Sequence, residues 1–168
     1  MIADAANSAG DIFASIMTWV GNKIASEPQD DSHNFGHGKA EYIFSLFISI
    51  SMIVVAFKLF YDSIMTLIYG STITFSWFLV VVCIITILVK FSLFIYTNKL
   101  CKKYNNILLE ANSKDHRNDC IVTTFTLISI LATLFGITFL DGIVGTGISI
   151  WIAITGFKIF IESYNVLM

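Results

Sequence analysis

The sequence predicts an all-α fold: a polytopic bundle of five transmembrane helices. Three observations predict it. Hydrophobic residues make up 56% of the 168, charged residues only 13%, and mean hydropathy is +0.79. Soluble domains carry about 25% charged residues, too many for this chain to match with a water-facing surface. Long stretches are charge-free: residues 63–89 and 120–140 contain no Asp, Glu, Lys or Arg. Each exceeds the roughly 20 residues that a helix needs to cross a bilayer. The single proline, Pro28, falls in the most polar stretch. These features disfavour a soluble enzyme and a secreted disulfide scaffold. The net charge of −2, without a basic block, implies no nucleic-acid partner. Cys83, Cys101 and Cys120 are odd in number and lie in or beside apolar runs, as free thiols do.

The first helix is expected over residues 2–26. It is amphipathic, with Asp4, Asn7 and Asp11 interrupting Ile, Phe, Met, Trp and Val. The connection Glu27–Gly38 follows, and the second helix is expected over 38–69. Its Ser45 and Ser49 permit close helix approach and hint at a dimer seam. An uncharged turn, Tyr69–Thr74, leads to the third helix, 73–100, and Lys99, Lys102 and Lys103 cluster after it. The fourth helix is expected over 107–138 and the fifth over 142–168, with Asp141 capping the last. Lys58, Asp62, Lys90 and Lys158 snorkel or pair. Glu162 reads as a structural or interfacial acid, and the 15 Phe as lipid contact and packing.

Basic residues assign the sides. Lys23 and Lys39 flank the first connection, and three lysines sit after the third helix, whereas the 69–74 and 137–142 turns have no Lys or Arg. The 27–37 and 99–106 loops are therefore expected on the cytoplasmic side. The chain then starts near the outer face and ends inside. Its first residues, MIADAANSAGD, already read as mid-helix. The expectation is a fragment, lacking an upstream helix and anything downstream.

Ionisable groups inside a bilayer are costly and mark function. Asn7 and Asp11 are four apart, as are Asp115 and Asp119, and residues i and i+4 share a helix face. If the two helices face each other, three carboxylates and one amide converge. Lys114 and Arg117 lie elsewhere on the helix wheel, so a divalent cation is the natural counter-charge. A solvated helix end is the plainer reading of either pair alone, above all where Lys114, His116, Arg117 and Asn118 surround the second.

Three stretches carry a family resemblance. NSAGDIFAS (7–15), HNFGHGKAE (33–41) and ANSKDHRNDC (111–120) resemble motifs of the cation diffusion facilitator family, the divalent-metal/proton antiporters. The likeness covers essentially the whole chain as family helices two to six, a partial cation efflux transmembrane domain over 1–168. On this likeness the family's first helix and C-terminal cytoplasmic domain are expected to be missing. The resemblance implies a transporter rather than an enzyme, a homodimer, a bacterial plasma membrane, and metal ligands at Asn7, Asp11, Asp115 and Asp119. Zinc-type members have His or Asp at the position of Asn7 and His at that of Asp115. His116 lies about 100° around the helix from Asp115 and is not counted. An all-oxygen donor set suits manganese, whereas imidazole suits zinc. The set also looks like that of the manganese-exporting branch. Mn2+ efflux in exchange for H+ is the expectation, with no cofactor beyond the transported cation. Zn2+ or Fe2+ efflux, and an inactive truncated membrane module, are the alternatives. Asp30, His33 and His37 match positions that hold a second metal in some relatives; the plainer reading is solvated loop residues. Lys39 and Glu41 are expected in structural ion pairs.

Overall fold

A computed structural model describes residues 2–28, 37–70, 76–135 and 140–168; among 2–11 and at 133 and 140 it describes the backbone alone. The order is α1 (Ile2–Ala25), α2 (Ala40–Tyr69), α3 (Trp77–Tyr104), α4 (Ile107–Ala132), a 3-10 turn (Thr133–Phe135) and α5 (Leu140–Leu167). All five expected helices are present. Three of them, α2, α3 and α5, are long and apolar enough to cross a membrane. The chain is an integral membrane protein.

Two boundaries differ from expectation. The third helix runs to Tyr104, so Lys99, Lys102 and Lys103 lie on its last turns and not in a loop. Lysine is a good helix former, and cations suit the negative end of the helix dipole. Asn105 ends the helix in the left-handed conformation (φ +50°), its N–H donating to the Cys101 carbonyl at 2.7 Å. The turn between α3 and α4 is therefore only Asn105–Asn106. The fourth helix stops at Ala132 instead of 138, giving way to the 3-10 turn just ahead of Gly136, a poor helix former. Asp141 lies inside the first turn of α5 and does not precede it.

The most polar helix occupies the centre. α4 contacts α1, α2, α3 and α5, and buries Asn112, Ser113, His116 and Asn118 beside Leu108, Leu109 and Ala111. The apolar helices turn outward: Trp77, Phe78, Ile85 and Leu88 of α3 and Phe57 and Ile68 of α2 are more than half exposed. In lipid this inversion is favourable. Hydrocarbon solvates the apolar faces, while polar groups must find partners inside the protein.

Burial alone does not drive helices together in lipid; close packing does. The α2–α5 contact is the most extensive in the bundle. Ser45 Oγ lies 2.6 Å from Ser163 Oγ across it. A Cβ on Gly156 would come within 2.9 Å of Ile53 Cγ1 and 3.3 Å of the Ser49 carbonyl oxygen. Ser45 and Ser49 are fully buried in this intrachain seam. They do not offer the free face that a dimer seam would need, because small residues on both helices already bring α5 against them. A core of Ala14, Ile48, Met52, Leu108, Ala111 and Ile159 joins α1, α2, α4 and α5 on the lysine-bearing side. Among the described residues, α3 packs on α4 alone.

Candidate metal centre

Placement of the acid pair begins at the start of α4. The Asn106 side chain accepts from the backbone N–H groups of Leu108 (2.8 Å) and Leu109 (3.1 Å), capping the helix. Its amide nitrogen donates to Asn22 Oδ1 of α1 at 2.9 Å. One buried residue thus fixes the origin of α4 and ties α1 to it. Replacing Asn106 with Ala removes both the cap and the interhelical bond. A loss of about 1–3 kcal/mol is expected, read as a lower unfolding temperature in detergent. Asn106→Asp keeps the cap without the donor and should fall between Ala and the parent.

From that origin α4 rises through its charged half. Lys114 pairs with Glu110 at 2.5 Å, one turn back. The Arg117 guanidinium lies 5.8 Å from the centre of the Trp151 ring on α5. Both cations therefore point away from the acid pair, as the helix wheel predicts. Asp115 and Asp119 are both half-buried on α4, one turn apart, about 40° from each other around the axis. Asn112 lies seven residues before Asp119, close to the same face, and is buried with no hydrogen-bond partner on its Oδ1 among the described residues.

On α3 the choice between snorkelling and pairing is resolved, with a partner that the sequence did not name. Lys90 Nζ donates to Asp119 Oδ2 at 2.6 Å, with the two side chains only 12% and 16% exposed. Lys90 does not snorkel. It sits 13 residues from Trp77 and 14 from Tyr104, about 20 Å from either helix end, too far for a four-carbon stem to reach water. The signal was present in the sequence, since Lys90 is the lone charge between Asp62 and Lys99.

The partner helix α1 presents Ala14 (1% exposed), Thr18 (8%) and buried Gly21 to the bundle. Steps of seven residues carry this face back to positions 7 and 11. The side chains of Asn7 and Asp11 lie outside the described residues, as do Asp30 and His33 entirely. Of the second candidate set only His37 is described, half-buried ahead of α2, its carbonyl accepting from Ala40 N–H at 2.9 Å. Among the described residues, no three His, Cys, Asp or Glu come together as a metal cluster, and neither Lys39 nor Glu41 forms an ion pair. Glu162 is exposed on α5, as expected for an interfacial acid.

Two helical turns beyond Asp119, towards the end opposite the lysines, a cleft of about 80 Å³ opens between α2, α4 and α5. Asp62, Ser63, Thr66, Thr126, Ser129 and Asp141 supply its polar lining.

Comparison with known proteins agrees with this architecture. The cation efflux transmembrane domain matches residues 1–168. An uncharacterised transporter of Methanocaldococcus jannaschii is 33% identical over 99% of this chain and 59% of its own length. Magnetosome protein MamB of a Magnetospira species is 29% identical over the whole chain and 57% of its own length. The manganese efflux system protein MneS of Bacillus subtilis is 29% identical over 99% of the chain and 58% of its own length. The chain thus spans a little over half the length of these curated relatives.

Proposed function

This chain belongs to the cation diffusion facilitator family, and from that premise we propose that it exports a divalent metal ion, Mn2+ foremost, from the cytoplasm in exchange for protons. The observation that carries the reading is the Asp115–Asp119 pair, two carboxylates one turn apart on the central helix of a membrane bundle. Asn7 and Asp11 complete the proposed ligand set from α1. The register of that helix and the Asn22–Asn106 bond beside α4 support their inclusion.

All four donors are oxygens. Carboxylate and amide oxygen suit Mn2+, while loss of the imidazole nitrogen weakens the advantage that zinc holds at most protein sites. A relative named as a manganese efflux protein points the same way. A carboxylate must be deprotonated to bind a cation, so loading the metal releases protons and protonation releases the metal. Competition for the same oxygens is the physical basis of the exchange. Asn112, one turn below Asp115, offers a buried oxygen on the approach from the cytoplasmic side. The cleft bearing Asp62 and Asp141 offers polar groups on the way out.

The test is flux in proteoliposomes under an imposed pH gradient, with Mn2+, Zn2+ and Fe2+ compared side by side. Mn2+ movement that follows the gradient, and exceeds that of the other two, is expected. Flux no greater than in protein-free vesicles for all three ions would remove the transport reading.

A further inference from the structure

A lysine bonded to one of the proposed ligands needs an explanation. The α3 helix around it carries no other charge from Trp77 to Tyr96, and Lys90 is held at mid-membrane depth with its ammonium on Asp119. Docking α3 on α4 does not depend on it alone, because apolar residues, among them Val80, Cys83 and Ile130, also join the two helices. Nor do the other cations near the pair take this role: Lys114 is bonded to Glu110 and Arg117 lies over Trp151.

Charge arithmetic gives the lysine a purpose. Asp11, Asp115 and Asp119 carry −3 when ionised. With the Lys90 ammonium counted, the set carries −2, which one divalent cation neutralises. A site of −3 would hold a divalent ion with surplus attraction and release it slowly.

We propose that Lys90 is a tethered counter-cation that competes with the transported metal ion for the Asp119 carboxylate. In the metal-free state its ammonium occupies Oδ2, as the 2.6 Å bond records. An entering divalent ion takes that oxygen and displaces the ammonium. When the metal leaves, the ammonium returns. Lys90 therefore weakens metal binding and hastens release. It sets the strength of binding and is not itself a ligand. The inference rests on the metal-binding reading of Asp119 given above.

The experiment measures Mn2+ affinity by titration calorimetry on the purified protein in nanodiscs, for the parent, Lys90→Met and Lys90→Arg. The Met variant keeps the stem and loses the charge; it should bind Mn2+ at least ten times more tightly and turn over more slowly in proteoliposomes. Without metal it should melt below the parent, and saturating Mn2+ should close that gap. The Arg variant should keep an affinity near the parental value. If the Met variant does not fold, Lys90→Gln carries the same comparison. Unchanged or weaker Mn2+ binding in the charge-free variant overturns the proposal while leaving the transport reading intact. Absence of divalent-ion binding by the parent would overturn both, so the two failures are distinguishable.

Discussion

Asp119→Ala is expected to abolish Mn2+ flux, to below about one-hundredth of the parental rate. Losing a residue that merely supports a metal ligand already costs roughly 10–100-fold in affinity or activity, and Asp119 is proposed as a ligand itself. The substitution has a second consequence, because Lys90 would lose the carboxylate it is bonded to. Removing one partner of a buried ion pair costs about 3–5 kcal/mol, enough to unfold a marginal protein. The control is the pair Asp119→Asn with Lys90→Met, which removes both charges and keeps the side-chain volumes. If Asp119 binds the metal, this double variant should fold and still transport nothing. Flux at the parental rate in the folded double variant would take Asp119 out of the mechanism.

The second large effect is on selectivity. Asp115→His places an imidazole nitrogen in an otherwise all-oxygen donor set. Imidazole suits zinc, and zinc exceeds manganese at most nitrogen-containing sites. The ratio of Zn2+ to Mn2+ transport should rise by at least about tenfold, a difference of roughly 1.4 kcal/mol. Competition assays with both ions in one vesicle preparation read this ratio directly. A ratio equal to that of the parent would show that something other than ligand chemistry selects the ion. Asp115 suits the test because it lies one turn along α4 from the Lys90–Asp119 pair.

Much of this architecture could be read from residue order. Long charge-free runs mark helices in lipid, because the cost of a buried charge there is high. The acid pair of α4 is marked instead by its i, i+4 spacing, because Lys114, His116, Arg117 and Asn118 make its surroundings polar. Sequence failed where two helices had to be matched. The lysines after residue 98 were assigned to a loop, since charge suggested a boundary, but Asn105 ends the helix by its left-handed backbone. With a two-residue turn, Lys90 lies 14 residues before Tyr104 and Asp119 lies 12 after Ile107; at 1.5 Å per residue both are roughly 20 Å from the turn. The expected bounds, 73–100 and 107–138, already put them 10 and 12 residues from it, so their common depth was legible and only the choice between snorkelling and pairing stayed open. Ser45 and Ser49 were a different failure. Small residues announce that a helix approaches closely, but not which helix, and here α5 takes that place.

The connection between α3 and α4 leaves no slack: Asn105 and Asn106 are all of it, and Asn106 also grips α1 through Asn22. Neither of the joined helices can slide past the other at that corner. A conformational cycle in this protein should therefore swing α3 and α4 as a single lever, with its fulcrum at that corner. The widest travel falls at the far end, where the polar cleft lies against α2 and α5.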